Sequence, residues 1–437
     1  MSIEIRPYDP DWPRQFDAER ARIQQVLGAR ARRIDHHGST AVPGLAAKPV
    51  IDIQVSVDSL QPIAAYASPL ASLGYVHVPH ADDEVCPFFH RPAEWPHTHH
   101  VHVVTAGGHQ ERRTLAFRDY LRAHPDAARD YEDLKRKLAA AQTGTGFSAQ
   151  QSYADAKTAF VEKILDAAAV DSYYAGYEEE HRLRLGPFQL EFERTKEILA
   201  RALPPPPARV VDVGGAAGAY SLWLAEGGYE VHLVDASARL VDEARRRSAA
   251  AAFPIASLTV GNAMRLPLDT ASADAVLVMG PLYHLTHRED RIAALREARR
   301  VVTPGGVVAV AAISRYASAL DGLVHDLSLD PVFAAIRDRD LEDGQHRNDA
   351  NHPYYFTTAY FHLPEDLHAE MEAAGLDSVS VLGVEGPGWL FSDFEVRWND
   401  PPRRGELLAV ARRLEAAPSA LGLSAHLLGL ARTPVTP

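Results

Sequence analysis

A run of small residues, Asp212-Val-Gly-Gly-Ala-Ala-Gly218, stands where an apolar, β-rich segment gives way to a helical one. Glycine at such a turn lets the backbone approach a ligand closely and take conformations closed to other residues. A loop of this kind can equally do no more than pack a helix on a sheet. Three further positions fall at the ends of later apolar runs. Asp235 closes the next strand, where a carboxylate accepts hydrogen bonds from both hydroxyls of a ribose. Asn262 and Ala263 close the third, where an amide can meet an adenine edge. Met279-Gly-Pro-Leu-Tyr-His284 closes the fourth. Asp212, Gly214, Gly215, Ala216, Gly218, Asp235, Ala236, Asn262, Ala263, Met279 and Gly280 thus outline a nucleoside-bearing cofactor on one sheet edge. Just beyond that edge, His284 is placed to act as a general base, with Tyr283 and His287 beside it in sequence. The bland alternative is that His284 only hydrogen-bonds its own loop.

The elements that must position these residues alternate strand and helix. Arg209–Val213, Val231–Val234, Ser257–Val260, Ala273–Met279 and Val307–Ile313 read as strands of an open parallel sheet wrapped by helices. Ser378–Leu382 and Ala425–Ala431 read as late strands forming an antiparallel edge hairpin. A dinucleotide site is the competing reading. Its fingerprint wants glycine where Ala216 stands, and its order of elements does not end in such a hairpin. Between the fifth strand and the hairpin lies a long aromatic segment at about 320–370. It includes Gly344-Gln-His-Arg-Asn348 and Tyr354-Tyr-Phe-Thr-Thr-Ala-Tyr-Phe-His362. That is too much for a plain connector, and reads as a substrate lid carrying Arg347, Tyr354, Tyr360 and His362, with Trp389 further on. Arg347 would suit a carboxylate or phosphate. The alternative is a core beneath an insertion.

Before residue 205 the pattern differs. Residues 1–168 mix strands (Val50–Val57, His100–Val104) with helical spacing over Arg112–Ala141 and Ser152–Ala168, separated by Thr143-Gly-Thr-Gly-Phe-Ser148. Residues 169–204 read as a linker arm and cofactor-covering helices, including a helix from Pro187 to Ala202 ended by four prolines, and 205–437 as the second domain. A plain linker is the alternative for the arm. In the first domain, His100 and His102 share one face of a strand and could join Asp52 around a transition metal. A polar cleft without metal is the alternative.

A chain of 437 residues, 46% hydrophobic and 24% charged, is long enough for two or three packed domains. Its net charge of −13 lies mostly after residue 168 and repels phosphate backbones, so a small-molecule substrate is expected rather than nucleic acid. No apolar run reaches the roughly 18 residues that span a bilayer. The N-terminus has no signal-peptide pattern, and the single Cys86 excludes an intrachain disulfide and a Cys-based zinc site. A cytoplasmic location is the default expectation, and a homodimer is compatible with the sequence.

Two resemblances follow. Over about 205–320 the chain resembles class I S-adenosylmethionine-dependent methyltransferases. Asp212-x-Gly-x-x-x-Gly218 looks like the first motif, Asp235 the second, Asn262-Ala263 the third and Gly280–His284 the fourth. Asn262 stands where the family usually has Asp. The resemblance implies a Rossmann-like fold, S-adenosylmethionine as methyl donor, and an O or N acceptor on a small biosynthetic metabolite. It extends to segments 344–362, 384–389 and 421–427, which are similar to those of actinobacterial-type small-molecule methyltransferases. The first 168 residues resemble the GrpB family, of nucleotidyltransferase-like α+β fold, through His37-Gly-Ser-Thr-Ala-Val-Pro-Gly-Leu-Ala-Ala-Lys48, Thr98–Val103, Phe117–Arg122 and Tyr153-Ala-Asp-Ala-Lys157. In active nucleotidyltransferases Gly-Ser amides hold a triphosphate, and two carboxylates one residue apart bind Mg²⁺. That likeness points to Gly38, Ser39, Lys48, Asp52, His100, His102 and Lys157, with a nucleotide or divalent metal as ligand. Here the second carboxylate is Gln54. The first domain is therefore expected to bind or pre-modify the substrate. A bifunctional enzyme with a nucleotidyl-transfer or ligation step, and a non-catalytic binding or dimerisation module, stay open.

Overall fold

The computed structural model describes residues 4–141, 153, 155–175, 182–349, 352 and 355–435. Two compact units result, Met1–Ala168 and Ala169–Pro437. The segment 143–148 and Tyr354 lie outside the described residues.

The first unit is α+β. Strands β1 (Arg33–His37), β2 (Ile51–Val57), β3 (Val76–Val78), β4 (Phe88–Arg91) and β5 (His99–Thr105) form a sheet of order β1-β2-β5-β4-β3. Only β2 and β5 are parallel, with Asp52 opposite His100 and Gln54 opposite His102. Ile51, Ile53 and Val55 face a core with Trp12, Ile23 and Phe89, so the alternate residues Asp52, Gln54 and Ser56 share the other face. The helical pattern expected over 112–141 is two helices, His109–Ala123 and Pro125–Ala141. Pro125 excludes its predecessor from the helical region, and His124 sits at φ −122°, ψ 86°. The next helix, Thr158–Ala175, runs seven residues past the expected end at Ala168, so the start of the arm is helical.

The second unit is doubly wound. Strands β6 (Arg209–Val213), β7 (Glu230–Asp235), β8 (Ser257–Val260), β9 (Ala273–Val278) and β10 (Val302–Ser314) are parallel in the order β8-β7-β6-β9-β10. Val276 and Leu277 are both fully buried, one in each of the two cores flanking the sheet, which is why these strands read as continuous apolar runs. Strand β14 (His426–Arg432) runs antiparallel to β10, and β13 (Asp377–Gly383) antiparallel to β14. After β6 the chain builds β7 and β8 on one side, then crosses to β9 on the other. The β6/β9 boundary is therefore the switch point where open sheets take ligands.

The long insertion adds helices Ala317–Val324 and Pro331–Asp343 and two short strands, β11 (Gln345–His346) and β12 (Ala359–His362). β9 covers β10 only as far as Val310; beyond it Ile313 and Ser314 pair with Phe361 and His362 of β12. This puts the insertion over the carboxyl end of β9. Beneath it Arg291 and Glu370, each 2% exposed, form a bidentate pair (2.6 and 2.9 Å). Arg291 also lies 3.6 Å from the centroid of the Tyr360 ring and donates to the carbonyls of Leu285 (2.9 Å) and Thr286 (3.0 Å). Breaking this pair strands a buried charge. Arg291→Met should lower stability by about 3–5 kcal/mol, and adding Glu370→Leu should restore most of it; urea denaturation of the three proteins measures both.

Candidate functional site

At the switch point one residue ties the Gly-rich loop to the two neighbouring turns. Asp235 Oδ2 accepts the Ala216 N–H (2.9 Å) and Oδ1 the Ser237 N–H (2.8 Å), while its backbone carbonyl accepts from Gly261 (2.9 Å). Burial raises its pKa, against the two backbone donors that favour the carboxylate. Each oxygen keeps a lone pair for a further donor. Ala236 next to it is exposed. Asp212 is fully buried below the loop; Oδ2 accepts the Ser221 hydroxyl at 2.6 Å, while Oδ1 has no partner among the described residues. Burial pushes its pKa up to about 6.

The loop meets the fourth turn backbone to backbone. Gly214 and Gly218 have φ of +74° and +81°, and a Cβ on Gly214 would strike Pro281. A Cβ on Gly280 would lie 3.2 Å from the Gly214 carbonyl, and Met279 N–H donates to Val213 (3.0 Å). On the third turn Asn262 spends its side-chain carbonyl on the Met264 N–H (2.8 Å), leaving the NH₂ to donate. The structure thus brings Asp212, Gly214, Gly215, Ala216, Gly218, Asp235, Asn262, Ala263, Met279 and Gly280 to the ends of four adjacent parallel strands.

His284 ends the short Pro281–His284 helix. Its Nδ1 faces the Thr358 carbonyl (3.4 Å) and its Nε2 the Tyr174 hydroxyl (3.1 Å). Burial lowers its pKa to about 4, so the ring is neutral at physiological pH. Tyr283, Tyr174 and Phe356 surround it at ring-centroid distances of 4.7, 5.5 and 5.8 Å. His287 begins the next helix, and its buried Nε2 has no partner among the described residues. Arg347 donates to Gln345 (2.8 Å), which donates to Thr286 (3.0 Å), two residues from His284. Other expected lid residues go elsewhere. β12 alternates, so Ala359 and Phe361 pack with Tyr283 and Phe356 while Tyr360 and His362 take the opposite face with Arg291 and Glu370. Trp389 is tied to the Leu423 carbonyl (2.8 Å). Tyr174 lies in the arm and Thr358 in the aromatic segment that the sequence marks, but their contacts with His284, spanning 110 and 74 residues, are not legible there.

In the first unit Gly38 (φ +69°) is pressed against Asp52, where a Cβ would collide with the carboxylate. Asp52 Oδ1 faces His100 Nδ1 at 3.2 Å, and His100 Nε2 faces His97 Nδ1 at 3.1 Å. Burial opposes the Asp52 charge, but His100, His37 and His102 hold its pKa well below the usual range. His102 is driven down to about 3 by burial. Gln54 is fully buried with neither amide atom partnered, and neither His37 Nε2 nor the Tyr153 hydroxyl has a partner among the described residues. The ligand atoms of Asp52, His100 and His102 do not gather as a metal would require. Among the described residues the His/Cys/Asp/Glu trio that does, within 4.8 Å, is Glu191, Glu385 and His426. That trio is satisfied by ion pairs: Arg182 on Glu191 (2.8 Å) and His426 on Glu385 (2.5 Å). Lys48 and Lys157 flank the Tyr153 ring at 5.5 and 4.5 Å, and Lys135, which the sequence reading missed, lies 2% exposed beside Tyr131. Its signal was a lysine four residues after Tyr131 on the buried stripe of its helix.

A GrpB protein model matches residues 2–167, and a methyltransferase domain model matches residues 210–306. A UPF0157 protein of Halalkalibacterium halodurans is 40% identical over 168 residues, 38% of this chain and 83% of the relative. The chain belongs to the GrpB family. The glutamate-rich protein GrpB of Alkalihalophilus pseudofirmus is 34% identical over 36% of this chain and 91% of its own length. Other GrpB-family relatives are matched over only 40% and 57% of their length. An S-adenosylmethionine-dependent methyltransferase structure from Methanosarcina mazei is 15% identical over 55% of this chain and 97% of its own, with a TM-score of 0.38. Residues 210–306 of this GrpB-family chain carry a methyltransferase domain. No described helix is long and apolar enough to cross a membrane.

Ala216, at φ +46°, stands in a conformation that costs an L-residue about 1–2 kcal/mol. Ala216→Gly should leave stability unchanged or raise it by up to about 1 kcal/mol in urea denaturation, where Ala→Gly within a regular helix or strand costs about that much.

Proposed function

We propose that the second unit methylates an oxygen or nitrogen of a small, biosynthetic metabolite, and that the first unit binds or pre-modifies the substrate. The observation that carries this reading is the neutral, oriented His284, enclosed by aromatic rings, on the turn that abuts the Gly214 loop. The residues fit the cofactor. Asp212 Oδ1 is a buried acceptor in want of a donor, as an ammonium would be, and Asp235 retains acceptor capacity for ribose hydroxyls. Ala236, Ala263 and Met279 complete its enclosure. Asn262, with only its NH₂ free, suits a ring nitrogen of adenine rather than the exocyclic amine. When bound, the cofactor supplies an electrophilic methyl on a sulfonium.

The chain's own work is then to orient the acceptor and take its proton. Donation from Nδ1–H to Thr358 leaves Nε2 as the lone pair, and the acceptor's hydroxyl or amine would take the place Tyr174 now holds. Tyr283, Phe356 and Tyr174 keep water from that lone pair, and Arg347 reaches the same turn through Gln345, where it would meet an anionic group on the substrate.

Calorimetry with S-adenosylhomocysteine tests the cofactor half: Asp235→Ala should weaken binding by about tenfold to a hundredfold, and undiminished binding would sink the assignment. His284→Ala should bind it normally yet turn over about 10²–10⁴-fold more slowly. Because His284 is a base only above its pKa of about 4, the rate should hold level between about pH 8 and 5 and fall as pH drops through 4. A fall centred near pH 6.5 would show that another group is the base.

A further inference from the structure

The polar face of the first unit carries more positive charge than its carboxylate can balance. Lys48 and Lys157 lie half-buried against one ring, that of Tyr153, and neither has a carboxylate partner among the described residues. Lys135 is buried over the Tyr131 ring and donates to the Ala46 carbonyl; Glu132 also attracts it, but that carboxylate is already paired with Arg136 (2.7 Å). Lys157 repels both of the others, and Asp52 attracts all three while spending Oδ1 on His100. Burial and this repulsion lower the amine pKa values to about 7 for Lys135 and about 8 for Lys157. Beside Lys48 and Lys157 stands the Tyr153 hydroxyl, unpartnered among the described residues. Deeper in the face lie the unpartnered Gln54 amide and His37 Nε2. Buried polar atoms and clustered cations left in this way are costly unless a ligand completes them.

The sign and size of the imbalance select the ligand. With Glu132 neutralised by Arg136, three lysines face the one remaining carboxylate, Asp52, an excess of positive charge that a phosphate dianion balances better than a single carboxylate does. Lysine is a point charge suited to phosphate oxygens, which need no planar fork. A divalent ion, by contrast, would need the second carboxylate that Gln54 replaces and would be repelled by the same lysines. We propose that the first unit binds a phosphate-bearing ligand directly on Lys48, Lys135 and Lys157, beside the Gly38–Ser39 turn, without a bridging divalent cation. This rests on the reading of the first unit as a ligand site and is independent of methyl transfer.

The test is calorimetry on the full chain in EDTA, with inorganic pyrophosphate and malonate as probes. Pyrophosphate should bind saturably, at least about tenfold more weakly to Lys157→Gln, and near-normally to Lys157→Arg, while malonate binds far more weakly. Lys135→Met should show the same loss. An unchanged circular dichroism spectrum and unchanged S-adenosylhomocysteine binding show that each variant is folded; should Lys135→Met fail that control, the half-buried Lys157 pair decides. Pyrophosphate binding that appears only with Mg²⁺, or that Lys157→Gln leaves intact, overturns the proposal. Lysine-dependent binding of malonate in preference to pyrophosphate overturns the phosphate assignment but keeps the ligand site. Binding of neither probe removes both.

Discussion

Asp235 is the residue on which the carboxyl edge of the second unit's sheet depends. One carboxylate oxygen closes the Gly-rich loop through Ala216, the other starts the following helix through Ser237, and the backbone carbonyl fixes the third turn through Gly261. Three of the four turns at the switch point thus converge on one side chain and its peptide. A buried carboxylate is tolerated there because backbone N–H groups meet it, and those same contacts hold Ala216 in a left-handed conformation that its side chain disfavours. Strain in the loop and desolvation of the acid are both accepted to keep backbone amides and carboxylate oxygens converging on one point.

The fourth turn is held from the opposite side. Its carbonyls at Leu285 and Thr286 end on Arg291, whose charge is balanced by Glu370 and covered by the Tyr360 ring. β12 reaches this place because β10 outruns β9 and leaves an open edge at Ile313 and Ser314. An aromatic insertion is therefore bound to the sheet by strand pairing on one face and by a desolvated ion pair on the other. Thr358, just before β12, faces the His284 Nδ1 at 3.4 Å, so the four-residue helix is held from the insertion as well as from Arg291.

What the sequence disclosed follows from the range of each interaction. The sheet strands were legible because burial on both faces makes an apolar run independent of distant partners, and Gly214, Gly218 and Asp235 were legible because turn geometry is local. Tyr360 and His362 looked like lid residues since they are polar and aromatic in an aromatic segment. Which way a four-residue strand faces is decided by Arg291 and Glu370, one in an earlier helix and one in the helix that follows. The break within the helical pattern of 112–141 is itself local, because Pro125 bars His124 from the helical region. Tyr174 and Thr358 fall in segments the sequence marks, but nothing near either of them announces a histidine so far along the chain.

Gln54 gives the first unit its own logic. A phosphate can be held through a cation bridging paired acids, or directly by fixed cations, and the two arrangements need opposite local charge. Replacing one strand carboxylate by an amide removes the first option, and a buried Lys135 beside Lys157 would be intolerably repulsive in a site that also had to attract a divalent ion. The surviving Asp52 then has a different partner, a histidine oriented by its Oδ1 and backed by His97. The Asp52–His100 contact is thus built to share a proton, and it leaves no second acid beside it for a divalent ion.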